Sequence, residues 1–262
     1  MHQDQPLSIG EKKGKKAGTI VLIHGNSSSS SINEKLLTDD KIDYHIVAID
    51  LPGHGNNQPT KDIENYFIKH INAQLKKTIA QFDDELLLIG HSLGGHLAIQ
   101  IANEIENLKG LVISGTSPLK APLNLEEAFF QIPELQHMYT EHLDDEVVRK
   151  TMKITTHISS EEILGKLTSD FQKTDPAFRS TLFKEIMSGS MPNEASLFQK
   201  LALPKYIITT EYEKVVNQTY VLSLDPEAEN YMIKNAGHYP QLEQAEEWNS
   251  IILMIAKEVF SH

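Results

Sequence analysis

Short, almost purely apolar runs recur at residues 20–23, 44–49, 85–89 and 111–113. Each ends in a turn, at His24-Gly25, at Asp50-Leu51-Pro52-Gly53-His54-Gly55, at Gly90 and at Ser114-Gly115-Thr116. A strand buried on both faces reads as such a run, whereas a half-exposed strand alternates. Helical patterns lie between the runs, most clearly over residues 66–82, where Phe67, Ile68, Ile71, Leu75, Ile79 and Phe82 form one stripe. Alternation of strand and helix predicts a mostly parallel central sheet with helices on both faces.

From residue 119 to 200 the β-runs vanish. Four helical stretches are expected there, over 125–142, 144–157, 160–171 and 176–188, with Pro133 interrupting the first and Asp175-Pro176 starting the last. Sheet patterns resume at 206–210 and 230–233, and a helix over 245–260 closes the chain. The expected organisation is one α/β core, residues 1–118 and 201–262, divided by a helical cap or lid, residues 119–200. A chain of 262 residues buries enough surface to hold one large core without staples.

Cysteine is absent, which removes disulfides, thiolate metal sites and cysteine nucleophiles together. A net charge of −12 disfavours nucleic-acid and anionic-membrane partners. The longest apolar run, 251–256, is far too short to span a bilayer. Lys12, Lys13, Lys15 and Lys16 followed by the apolar residues 17–23 imitate a signal peptide, but no small-x-small cleavage site follows. The segment reads as a buried strand, and the expected location is cytoplasmic. Oligomeric state is left open.

Chemistry concentrates at Gly90-His91-Ser92-Leu93-Gly94, between a buried strand and the helical pattern 93–105. In that setting G-x-S-x-G is a nucleophile elbow: the turn is so tight that the serine backbone is strained and its neighbours must lack side chains. Gly90 and Gly94 fill those positions, and Gly95 lets the helix approach the sheet. The competing reading is a serine that merely caps the helix.

A serine nucleophile needs a base oriented by an acid. His238, in the loop Asn235-Ala236-Gly237-His238-Tyr239-Pro240 between the last strand and the last helix, is the candidate base. His91 and His96 are expected to pack or hydrogen-bond beside the elbow, and His24 and His54 to be structural. The acid should emerge just past residues 206–210, where Glu211-Tyr212-Glu213 offers two carboxylates. Glu213 is the choice, with Glu211 and Asp225 as rivals. Oxyanion donors are expected from the backbone N–H of Leu93 and of Asn26. The run Ser27 to Ser31 either shapes the mouth of the site or is a solvated loop. No metal-ligand set, no G-x-G-x-x-G and no phosphate loop at Gly165-Lys166 is present, so neither metal nor cofactor is expected.

These landmarks resemble the α/β-hydrolase superfamily over nearly the whole chain: H-G-N from His24, D-L-P-G-H-G from Asp50, G-H-S-L-G-G from Gly90 and N-A-G-H-Y-P from Asn235. Within it the chain is similar to the bacterial N-acylhomoserine lactonases of α/β-hydrolase type. That similarity rests on H-G-N-S-S-S from His24, G-L-V-I-S-G-T-S-P from Gly110, S-G-S-M-P-N from Ser188 and a glutamate as acid. It implies an α/β-hydrolase fold with Ser92 as nucleophile, His238 as base, Glu213 as acid, and Asn26 and Leu93 as oxyanion donors. The implied substrate is a small acyl ester or lactone. The N-terminus departs from the pattern, being short and lysine-rich where one or two edge strands are usual. The insertion matches weakly, so substrate contacts in the cap do not carry over. Phe129, Phe130, Leu135, Met138 and Tyr139 are candidates for lining an acyl site or for packing the lid.

The expected activity is serine hydrolysis of a carboxylic ester or lactone, N-acylhomoserine lactones first. Alternatives are a general carboxylesterase, a C–C hydrolase using the same residues, or a ligand receptor with slow turnover. Serine in place of aspartate excludes the dehalogenase and epoxide-hydrolase mechanisms.

Overall fold

The computed structural model describes residues 6–57 and 59–261. Seven strands form one sheet: β1 (Ile9–Lys12), β2 (Lys16–Ile23), β3 (Tyr44–Ile49), β4 (Leu86–His91), β5 (Leu108–Ser114), β6 (Lys205–Thr210) and β7 (Glu229–Ile233). Their spatial order is β1-β3-β2-β4-β5-β6-β7. β1 runs antiparallel to β3, and every other pair is parallel. The lysine-rich N-terminus therefore supplies one edge strand, paired from Ile9 opposite Ile49 to Lys12 opposite Ile46. β2 starts at Lys16, earlier than its apolar run, because its first residues lie exposed at the end of the sheet.

Successive side chains of a strand point to opposite faces, and the sheet has an apolar layer on each. Val21, Ile23, Leu88, Leu111 and Ile113 face α1 (Ile68–Ile79) and α2 (Leu93–Ile101). Ile20, Leu22, Ile46, Leu87, Ile89 and Val112 face Trp248, Ile252 and Ile255 of the closing helix, which spans Ala245–Val259. Helix on both faces is why the central strands are apolar throughout.

Between β5 and β6 lie α3 (Asp145–Thr155), α4 (Glu161–Lys173), α5 (Pro176–Met187) and α6 (Glu194–Lys200). The helix expected over 125–142 does not form. A short helix, Leu125–Ala128, gives way to a 3-10 helix, Pro133–Tyr139, because proline lacks the N–H and clashes with the preceding turn. α2 likewise ends at Ile101 and passes into a 3-10 turn, Ala102–Glu104. Neither α6 nor α7 (Gln218–Leu224) was expected. Each has seven residues, too few for a periodic signal.

Val148, Met152, Leu164, Leu167 and Phe171 of α3 and α4 form a separate apolar cluster that closes on Tyr239, next to His238. Arg179 is buried among these helices, donates to the carbonyls of Thr140, Phe171 and Glu141, and lies 4.0 Å over the Phe171 ring. Burial pulls its guanidinium down to about 10, which leaves it charged at neutral pH. Among the described residues no helix is long and apolar enough to cross a membrane.

Candidate active site

Ser92 follows the last residue of β4, at the carboxyl end of a central strand, and has φ 52° and ψ −121°. A left-handed serine is strained, and neighbouring structure must hold it there. A Cβ on Gly90 would stand 2.4 Å from Gly95 Cα, and one on Gly94 would stand 2.2 Å from the Ile23 carbonyl oxygen. Only glycine allows those approaches. The Ser92 N–H donates to the Ser114 carbonyl at 2.9 Å, and Thr116 Oγ1 donates to the Ser92 carbonyl at 2.9 Å. β5 thus braces the elbow. Ser92 makes no side-chain capping hydrogen bond, so its hydroxyl is not occupied as a helix cap would be.

His238 is buried, and its Nδ1 lies 3.0 Å and 3.1 Å from the two carboxylate oxygens of Glu213. The Glu213 side chain is 2% exposed. Burial raises its pKa, but the positive charge of protonated His238 and hydrogen bonds from His238, Val215 and Val216 outweigh that, and the net direction is downward. The two rivals are engaged elsewhere: Glu211 accepts the Asn235 N–H at 3.0 Å, and Asp225 pairs with Lys205.

The His238 ring lies 5.0 Å, centroid to centroid, from that of His91, the residue before Ser92. His91 Nε2 donates to the His238 carbonyl at 2.7 Å, while its Nδ1 has no hydrogen-bond partner among the described residues. Burial, then the neighbouring His238 charge, pulls the His91 pKa down to about 3. His91 is therefore a neutral donor that fixes the peptide carrying His238.

The loop after β2 abuts the elbow, since a Cβ on Gly25 would stand 3.0 Å from Ser92 Cβ. Leu93 is the first residue of α2, and a first-turn N–H has no acceptor inside its own helix. Asn26 precedes Ser27, which is also left-handed at φ 55°. The Ser27 N–H donates to His54 Nε2 at 3.1 Å, and the Leu51 N–H to His24 Nε2 at 2.9 Å. Both histidines thus brace this loop. The solvated-loop reading of residues 27–31 fails for its first part: Ser27, Ser28 and Ser29 are buried, and the Ser29 and Ser31 hydroxyls donate to Asp170 of α4. Tertiary packing of α4 covers a run that is polar by composition.

Asn26 Nδ2 donates to the Met138 carbonyl at 2.9 Å, joining the loop after β2 to the 3-10 helix 133–139. Tyr139 then meets Phe183 of α5 at 5.6 Å between rings. Phe129 and Tyr139 pack on the main core and Met138 on the α3–α4 cluster, whereas Phe130 is exposed. His96 pairs with the buried Glu194 of α6 at 2.6 Å. Thr116 and the His91–His238 contact were not singled out in the sequence; the turn Ser114-Gly115-Thr116 was the one signal for the first. Two surface clefts lie elsewhere, one at Ser29–Ser31, Lys166 and Lys173, the other between α3 and α4. Among the described residues no cluster is suited to hold a metal ion.

Residues 20–251 match the alpha/beta hydrolase family, and the chain belongs to it. Its fold is close to that of the N-acyl homoserine lactonase AidH solved with N-hexanoyl homoserine lactone, with a TM-score of 0.86 and 24% identity over 96% of this chain and 93% of that one. A Pseudomonas 2-hydroxy-6-oxononadienedioate/2-hydroxy-6-oxononatrienedioate hydrolase is 22% identical over 89% of this chain and 86% of its own length. A Mycoplasma pneumoniae protein named as an esterase/lipase is 29% identical over 156 residues, 51% of this chain and 53% of that protein. The chain is thus a hydrolase-family member with relatives of esterase and lipase type.

Proposed function

We propose that the protein is a serine hydrolase that cleaves a carboxylic ester or lactone through an acyl-enzyme, with Ser92, His238 and Glu213 as its triad. The observation that carries this reading is the buried contact between Glu213 and His238, whose imidazole lies against the ring of His91, the residue before the left-handed Ser92. Ser92 Oγ attacks the carbonyl carbon while His238 Nε2 takes its proton, and Glu213 stabilises the imidazolium so formed. The oxyanion is held by the N–H groups of Leu93 and Asn26. Collapse breaks the carbon–oxygen bond, and His238 returns the proton to the departing alkoxide. A water molecule, deprotonated by His238, then attacks the acyl carbon and frees Ser92.

N-acylhomoserine lactones are the proposed substrates, with residues 119–200 as a cap over the acyl chain. The fold shared with AidH supports this, as does the run of contacts from Asn26 to the Met138 carbonyl and on to the Tyr139–Phe183 ring pair. In such a ring-opening the departing alkoxide stays part of the acyl group until water releases the hydroxy acid. The test is hydroxide uptake on a panel of acylhomoserine lactones beside p-nitrophenyl esters, with mass-spectrometric mapping of a fluorophosphonate adduct. An adduct on Ser92 and turnover of lactones ahead of esters are expected. Preference for short p-nitrophenyl esters would make the protein a general carboxylesterase, and an adduct at another residue would overturn the mechanism.

A further inference from the structure

The loop that carries His238 is joined by its backbone to the turn between α3 and α4. The His238 N–H donates to the Thr155 carbonyl at 2.8 Å. Gly237 comes so close that a Cβ there would stand 2.7 Å from both His157 N and Thr155 O, which restricts this position to glycine.

One side chain gathers this junction. Glu243, at the end of the short helix Pro240–Glu243, is only 7% exposed. Its Oε2 accepts the N–H groups of His157 and Ile158, both at 2.7 Å, and that of Gly237 at 3.1 Å. Its Oε1 accepts Gly237 N–H at 3.1 Å and Tyr239 N–H at 3.2 Å. Two of the four donors belong to the α3–α4 turn, and the other two flank His238. A carboxylate is acceptor-only and can serve all four, whereas an amide would turn its own donors toward them.

We propose that Glu243 is a positioning residue, whose carboxylate locks the peptide of His238 to the α3–α4 turn and so fixes the imidazole between Glu213 and Ser92. The proposal rests on the reading of His238 as the base. With the N–H groups on both sides of His238 held by Glu243, its own held by Thr155 and its carbonyl held by His91, the ring has only its side-chain torsions free. Releasing the Glu243 end lets the base drift from the line of proton transfer, where displacement on the ångström scale is costly.

The test uses the full chain and p-nitrophenyl butyrate. Glu243→Gln should lower kcat by roughly 10- to 100-fold, as expected for a misplaced base, while KM stays within about threefold. The rate of Ser92 labelling by a fluorophosphonate should fall in parallel. In a His238→Ala background the same change should alter labelling by less than about twofold, because the residue it acts through is gone. Hydrogen exchange should quicken together at residues 155–158 and 237–239.

If Glu243→Gln does not fold, Glu243→Asp, which keeps the charge and shortens the reach, should give a smaller loss with the same coupled pattern. A folded Gln variant, or an Asp variant used in its place, with wild-type kcat would overturn the proposal. So would a loss that persists undiminished in the His238→Ala background, since the carboxylate would then support the site as a whole. If His238→Ala by itself retains wild-type turnover, it is the assignment of the base that fails, and the proposal falls with it.

Discussion

Glu213 meets His238 Nδ1 through both carboxylate oxygens, at 3.0 Å and 3.1 Å, while Glu211, two residues earlier, turns away to accept the Asn235 N–H. The two glutamates share one loop and differ in burial. Glu213→Gln is expected to lower kcat on the order of 10⁴-fold by analogy with a triad acid replaced by its amide, with Glu211→Gln within about threefold of wild type. Steady-state kinetics on one ester substrate decide it, and equal losses would show that the contact does not orient the base.

Ser92→Ala should abolish fluorophosphonate labelling and lower kcat by about 10⁴- to 10⁶-fold, as for loss of a triad nucleophile. Its melting temperature should hold or rise, since activity and stability trade off at strained catalytic positions. Intact turnover in this variant would end the serine mechanism.

Acidification should destabilise the fold through His91. Its pKa is about 3 in the folded chain against an ordinary histidine value of 6.5, so the unfolded chain binds the proton first. Its stabilising contribution is complete above pH 6.5 and is lost as pH falls from there toward 3, at no more than about 1.4 kcal/mol per pH unit. Burial lowers the pKa of His24 and His54 as well, so they act in the same direction. His91→Gln, which keeps a donor for the His238 carbonyl, should make the fall shallower. Denaturant midpoints at pH 7.0, 6.0 and 5.0 measure this, and parallel curves for the two proteins would refute it.

Two glycines should respond oppositely to alanine. Gly165 lies inside α4, and a Cβ added there would meet nothing within 4 Å, so Gly165→Ala should stabilise by about 0.5–1 kcal/mol through helix propensity. Gly94→Ala drives a methyl group into the Ile23 carbonyl and should lower the melting temperature and the yield of folded protein. Thermal melts of both variants test the pair, and a stable Gly94→Ala protein would contradict the close packing of the elbow.

Substrate length gives the last test. Each buried CH₂ is worth about 0.8 kcal/mol, so two carbons added within an acyl site should raise kcat/KM roughly tenfold. Phe183→Ala should flatten that dependence more than it affects a butyryl substrate, because the proposed acyl site runs along the Tyr139–Phe183 ring pair. A profile equally steep in both proteins would remove Phe183 from the site.

The sequence alone determined the α/β alternation, the elbow and the late histidine loop, because each depends on local chemistry. Continuous apolar runs require burial on both faces, Gly90 and Gly94 leave the room that Ser92 needs, and His238 stands between a strand and a helix whose patterns are local. The offset from the strand end already favoured Glu213 over Glu211, but two carboxylates on one loop have the same local chemistry, and only packing shows which of them contacts His238. Burial of Ser27 to Ser29 under α4 was equally out of reach, because a covered serine and a solvated one have the same composition. Glu243 showed least of all: its four N–H partners include a turn more than eighty residues away, and no spacing in a sequence records which backbone donors converge on one carboxylate.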